Sequence, residues 1–275
     1  MSKTINYDIL YDKKEYAVII NELVDLINDK YYSDPTSTGR PLKTPLINIV
    51  KAIIYVLKTG CQWCMLPKEF GNYSTLYKHF LKYTKDDLFD DEWGNKLREY
   101  NRQYKYKSNL KKQLIDCTLV KSIHGTDVVG RNPCDRGRKG TKISLQTDSK
   151  GAPIGVAANG ANTPDHYMMQ NTFDNLKVKK KTRAKLYADK GYSNQPALTC
   201  AENNNFKLVC ENKKNRKVKL FKEMDHDVNH FRYAIEASIG WVKQFKRLIL
   251  RYDRKMKSYM GFLKIAFAII IQRKI

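Results

Sequence analysis

From Gln113 onward the sequence breaks into short apolar runs separated by turn signals, and the order of those runs leaves few folds open. Apolar stretches of four to eight residues bounded by Gly, Asn, Asp or Pro read as strands, and apolar positions recurring every three or four residues read as helices. Strands are therefore predicted near 112–118, 141–148 and 153–158, a helix near 165–177, a strand at 184–188, a helix near 195–203 and a strand at 206–210. Long helices are predicted at about 228–249 and 256–272. Three consecutive strands followed by strands alternating with helices imply an α/β arrangement around a mixed sheet.

The first hundred residues read differently. Apolar positions at helical spacing run through 14–29 and 44–59, for example Ile47, Val50, Ile54 and Leu57. Thr44 is the expected N-cap of the second helix, Pro45 its first residue, and Gly60 its stop. A third helix is predicted from Ser74, with Leu76, Phe80 and Leu81 on its apolar side. Lysines and arginines crowd 102–112, which places a boundary there: a helical domain over 1–105 and an α/β domain over 106–275.

Among 275 residues, 51 Lys and Arg stand against 28 Asp and Glu, a formal net charge of +23. That exceeds what solubility requires and favours a polyanionic partner, with nucleic acid first in line. Ribosomal, chromatin and membrane-surface proteins are also basic, so charge does not choose among them. The N-terminus has no apolar run behind a basic start, and the apolar stretch Ile265 to Ile271 is too short to span a bilayer, which leads to an expectation of a soluble intracellular protein without membrane contact. The six cysteines contain one close pair, Cys61 and Cys64, with no second pair or nearby histidines to complete a zinc site, so free structural thiols are expected.

Three acids stand out by placement. Asp116 and Asp189 each end a predicted strand, where a side chain sits at the rim of the sheet; an acid there is ordinarily a turn residue. Glu236 lies inside a long predicted helix. At 100° per residue Arg232, Glu236 and Lys243 fall within about 40° of one another, beside an apolar arc of Phe231, Ile235, Ile239 and Val242. A solvated face with an Arg–Glu pair four residues apart gives the same pattern.

Taken together, Ile115-Asp116-Cys117-Thr118, Ala188-Asp189-Lys190-Gly191-Tyr192 and the stretch from Glu236 to Leu248 resemble the three acidic blocks of the insertion-sequence-5 family of DDE transposases. The family's arginine, glutamate and lysine spacing is matched by Arg232, Glu236 and Lys243. The stretch Gly137 to Ile143, followed by Asp148-Ser149-Lys150-Gly151, is similar to the family's glycine-rich lead into its second and third strands. The N-terminal stretch Gly60 to Tyr77 resembles its helical DNA-binding segment. The chain departs at Asn229 and Ala237, where the family often carries a tyrosine and a basic residue.

The resemblance implies a ribonuclease-H-like catalytic domain preceded by a small all-helical, helix-turn-helix-like DNA-binding domain. It implies that Asp116, Asp189 and Glu236 hold two Mg²⁺ or Mn²⁺ ions, whose hard-cation chemistry suits carboxylate oxygens. Water would first attack to nick the ends of a mobile element, and the freed 3′-hydroxyl would then attack target DNA. Arg138, Lys139, Lys142, Arg232 and Lys243 would hold phosphates near the acids, and Tyr77, Lys78 and Lys82 would face a major groove. A homodimer on double-stranded DNA, on terminal inverted repeats and target alike, follows from the same likeness. No GxxxxGK[ST] loop is present, so ATP is not expected.

Three other readings use part of the same pattern. A domesticated or inactive relative would bind DNA without cutting it, and a ribonuclease-H-like nuclease would cut without joining. A helix-turn-helix regulator would account for the charge and leave the spaced acids without a purpose. The basic run at 213–219 reads as a DNA-gripping loop, or as a nuclear import signal in a eukaryotic host.

Overall fold

A computed structural model of the chain describes residues 11–33, 42–103, 109–178, 183–212, 220–221 and 228–275, without the side chains of 109 and 228–232. The basic run at 213–219 lies outside the described residues. The chain forms two compact units: residues 1–100 with 245–248 and 257–275, and residues 101–244 with 249–256.

The first unit is helical. Helices α1 (Lys14–Tyr31), α2 (Leu46–Thr59), α3 (Tyr73–Lys85) and α4 (Leu88–Gln103) bury their apolar stripes together. Helix α2 starts one residue later than expected: Pro45, not Thr44, is its N-cap, because φ −54° and ψ 139° keep the proline outside the helix. Gly60 ends it in the left-handed conformation, φ 72°, donating to the Val56 carbonyl. Helix α3 is capped by Asn72, whose side chain accepts from the Ser74 N–H, so it begins at Tyr73. Helix α4 has no clear apolar signature, since it buries Glu92 and Lys96 beside Trp93 and Leu97.

The α/β unit does not run to the end of the chain, as its sequence pattern predicts. Instead Lys257–Ile275 groups with the helices. Helix α9 (Met256–Gln272) is buried nearly all round from Phe262 to Ile271, and a helix apolar on every side needs neighbours on every side. Trp63 and Phe80 meet its Phe262 with ring centroids 6.2 and 4.3 Å apart, and Trp93 meets Phe267 at 5.2 Å. The predicted 228–249 helix is also two pieces, α7 (Val228–Lys243) and the short α8 (Lys246–Ile249).

The second unit is built on a mixed sheet. Its strands are β1 (Lys112–Ser122), β2 (Gly130–Arg131), β3 (Lys139–Asp148), β4 (Pro153–Gly160), β5 (Ala184–Tyr187), β6 (Phe206–Val209) and β7 (Leu250–Arg251). Strand β3 lies between β4 and β1 and is antiparallel to both, while β5 and β6 follow parallel to β1. The long strands thus run β4-β3-β1-β5-β6, three meandering strands and then two delivered by helical crossovers, which is the ribonuclease-H-like order. Helices α5 (Asp165–Asp174) and α6 (Gln195–Asn203) cover one face, burying Met169, Phe173, Ala197 and Ala201 against Ile115, Leu186 and Phe206.

Helix α7 packs in the same unit against β1, β3 and β5. Ser238 is its anchor: fully buried, it donates to the Gly151 carbonyl at 3.0 Å. Gly151 closes the β3–β4 turn at φ +77°, and a Cβ there would stand 2.5 Å from the Ser238 hydroxyl. Glycine therefore serves this turn twice, by backbone conformation and by the approach of α7.

Candidate active site

The register of β1 and β5 pairs Leu114 with Tyr187. Two residues beyond that pair come Asp116, which stands inside β1 and not at its end as expected, and Asp189, just past the end of β5. Helix α7 packs against both strands and adds Glu236. One cavity of about 60 Å³ is lined by Leu114, Ile115, Asp116, Tyr187, Ala188, Asp189, Ile235 and Glu236. All three acids singled out in the sequence border it, and its apolar rim comes from β1, the end of β5 and Ile235 of α7.

The acids differ in surroundings. Asp116 is half-buried and accepts the Cys117 N–H at 2.7 Å. Burial, and then the charges of Asp189, Asp165 and Glu236, push its carboxyl up to about 7 against the opposing pull of that hydrogen bond. Asp189 caps a short turn, its carboxylate accepting the Gly191 N–H at 2.8 Å. Glu236 is exposed on α7.

A donor set of carboxylate oxygens on one cavity suits a hard divalent cation. The arrangement is open: among the described residues, no three acids, histidines or cysteines stand close enough to grip an ion as they are.

The basic residues expected at the site divide. Arg138 and Lys139 are exposed where the loop between β2 and β3 turns back, with Gly137 at φ 73°. Lys243 is exposed at the end of α7. Lys142 is not available to a phosphate in this arrangement: its ammonium donates to Asp165 Oδ1 at 2.7 Å and to the Thr163 carbonyl at 2.6 Å, and only 12% of its side chain is exposed. Its place on the covered face of β3, next to the start of α5, is the physical reason. The side chain of Arg232 lies outside the described ones. In the helical unit Lys78 is exposed, Tyr77 meets Trp63 at a tilted 5.3 Å between ring centroids, and Lys82 sits 3.6 Å over the Tyr31 ring.

Two contributors were not found in the sequence. Asp165, at the start of α5, lies near enough to act on Asp116, yet an acid after Pro164 reads as an ordinary helix start. Ser238 and Gly151, which seat α7, are residue types that no motif singles out.

A ribonuclease-H-like sheet and the helix packed on it thus bring two aspartates and a glutamate to one cavity. Residues 110–271 match the family described as the transposase DDE domain, and residues 23–93 match the family described as a transposase of the IS4/5 family. The chain belongs to the DDE transposases of IS4/IS5 type, enzymes that act on DNA with divalent metal ions. It is 25% identical over 153 residues to a transposase for insertion sequence element IS402 of Burkholderia cepacia, covering 53% of this chain and 69% of that one. Two solved structures are similar: a piggyBac transposase synaptic complex with hairpin DNA (11% identity, TM-score 0.49, 98% of this chain and 74% of that one) and the Mos1 mariner paired end complex with Mn (13%, 0.28, 90% and 83%). Among the described residues, no helix is long and apolar enough to cross a membrane.

Proposed function

We propose that this chain binds the terminal inverted repeats of a mobile element, cuts the DNA there and transfers the 3′ ends into target DNA. The observation that carries the reading is the shared cavity of Asp116, Asp189 and Glu236.

In the first step the oxygen of water bonds to the scissile phosphorus and the P–O3′ bond breaks, leaving a 5′-phosphate and a free 3′-hydroxyl. In the second, that hydroxyl attacks a target phosphorus and the target's own 3′-oxygen leaves with a proton. Each phosphodiester lost to joining is replaced by another, so no nucleotide triphosphate is consumed. Asp116, Asp189 and Glu236 hold two Mg²⁺ or Mn²⁺ ions, which when bound supply charge neutralisation at the attacked phosphate and lower the cost of deprotonating the nucleophile. The cavity's apolar rim, Leu114, Ile115, Ala188 and Ile235, limits water around the reacting groups.

Arg138, Lys139, Arg232 and Lys243 hold phosphates beside the acids, a positioning role without sequence preference. The helical unit reads the end repeats through the surface that carries Lys78, and a homodimer on DNA brings two ends together. The localisation that follows is wherever the element's DNA lies.

The test is Asp189→Asn in a Mg²⁺-dependent nicking assay on end-containing duplex. Cleavage is expected to vanish while DNA binding is kept. Unchanged cleavage would remove Asp189 from the site and the reading with it, and cleavage by the wild type without any joined product would reduce the activity to that of a nuclease.

A further inference from the structure

We infer that Asp165 is a fourth carboxylate of the cation site: held in place by Lys142, it grips the water shell of an ion bound at Asp189. This rests on the function proposed above and extends it to a residue on a different element.

Gly191 shows how close the two carboxylates come. A Cβ at that position would lie 2.8 Å from Asp189 Oδ1 and 3.2 Å from Asp165 Oδ2. The two oxygens therefore flank one point and stand within about 6 Å of each other, and the missing side chain keeps the gap between them clear. Lys142 occupies Asp165 Oδ1 at 2.7 Å, which turns Oδ2 toward the gap. Mg²⁺ gives up its waters reluctantly and is usually held through a few carboxylates with water filling the other positions. One hydrated ion on Asp189 spans a gap of this size, its outer water accepted by Asp165.

The plain alternative is a strut, with Asp165 serving only to pair Lys142. Lys142 has a second anchor in the Thr163 carbonyl at 2.6 Å. Asp165 Oδ2 is also left facing the gap beside Asp189 and not its partner Lys142, which takes Oδ1. An acid beside other acids is a cost to the fold, and a cation in the gap offsets it.

The experiment is a Mn²⁺ titration of the full-length protein followed by electron paramagnetic resonance of the free ion, with Mn²⁺ standing in for Mg²⁺. Asp165→Asn is expected to weaken binding roughly tenfold, the usual scale for a group that orients a metal's ligands, and to raise the Mn²⁺ concentration for half-maximal cleavage by a similar factor. The double variant Lys142→Met, Asp165→Asn leaves no unpaired buried ammonium, so it tests the same point if the single variant folds poorly. A strut would be replaced by that double change and binding restored; the inference expects binding to stay weak. Wild-type affinity in either variant overturns it. Asp189→Asn, measured alongside, separates the two levels: if it too binds Mn²⁺ like the wild type the proposed function falls, and if it alone loses the ion only the role of Asp165 falls.

Discussion

Asp116 within β1 and Asp189 just past the end of β5 each stand two residues beyond the paired Leu114 and Tyr187. Strand register thus brings together acids that are 73 positions apart in the chain. Helix α7, seated by Ser238 on the Gly151 carbonyl, brings the third. The cavity is assembled by ordinary sheet geometry and one turn, and the energetic cost falls on Asp116.

That cost has a pH signature. Burial first, and neighbouring acids next, raise the Asp116 carboxyl to about 7, above the ordinary aspartate value of 3.8. A carboxyl raised in the folded state binds more protons there than in the unfolded chain. Stability is therefore lost as pH rises from the ordinary aspartate range to about 7, and is level above it. Asp116→Asn removes the slope. In metal-free buffer the variant is expected to exceed the wild type at pH 8 by on the order of 1 kcal/mol and to match it near pH 4, as read by denaturant unfolding, while Mg²⁺-dependent cleavage is lost. Added Mg²⁺ should stabilise the wild type and leave the variant where it was. A variant that is less stable at pH 8 would show that Asp116 is not strained.

Much of this fold is legible in the order of residues alone. The strands at 112–118, 141–148, 153–158, 184–188 and 206–210 are short apolar runs between turn residues, a local signal, although β1 runs on to Ser122 and so holds Asp116 inside the strand where an end was expected. What escapes depends on partners distant in sequence. The destination of α9 is set by the aromatic rings of the helical unit, and no periodicity says which of two units will surround an apolar helix. The fate of Lys142 depends on where Asp165 lands, so a lysine that reads as a phosphate contact is engaged in an ion pair. Arg251, fully buried, binds Asp127, the Val128 carbonyl and Thr141, and its strand β7 pairs with β1; a two-residue strand with such remote partners leaves no pattern to read.

The seat of α7 can be disturbed without touching an acid. Alanine at Gly151 meets two obstacles, a left-handed backbone and the Ser238 hydroxyl 2.5 Å from its Cβ. Gly151→Ala is expected to cost roughly 1–3 kcal/mol for the backbone alone and to lower cleavage at least tenfold, because displacing a catalytic group by about 1 Å is worth up to about 100-fold. Gly137→Ala is the control: its φ is 73° but nothing lies within 4 Å of the added methyl, so it should show the strain without the catalytic loss. Equal activity losses in the two would mean that Ser238 does not position Glu236.

Arg138 and Lys139 can be separated from Lys142 by salt dependence. Each phosphate contact removed lowers the slope of log affinity against log salt by about 0.9. The Arg138→Ala, Lys139→Ala pair is therefore expected to flatten the slope by roughly two, with equal effect on any DNA sequence, in fluorescence anisotropy between low and moderate salt. Lys142→Met should leave the slope unchanged, because its ammonium is taken by Asp165 and Thr163. A flattened slope in Lys142→Met would show that the ion pair opens when DNA binds.

The helical unit carries its own titration. Glu92 is 1% exposed on α4, and burial, then a hydrogen bond to Glu22 and that residue's charge, hold its carboxyl well above the usual carboxylate range. Lys96, which donates to Glu22 and Glu99 at 2.6 Å and to Gln272 at 2.7 Å, opposes that rise without cancelling it. Glu92 is thus protonated in the folded chain at neutral pH and ionised in the unfolded chain, so the unit loses stability as pH climbs out of the ordinary carboxylate range. Glutamine keeps the shape and the neutral charge at every pH. Glu92→Gln is expected to match the wild type near pH 4 and to unfold at higher denaturant at pH 8, with cleavage of DNA at neutral pH unaffected. A variant weaker than the wild type at pH 8 would mean that Glu92 is ionised in place, its charge offset by Lys96 beside the two acids that ammonium already binds.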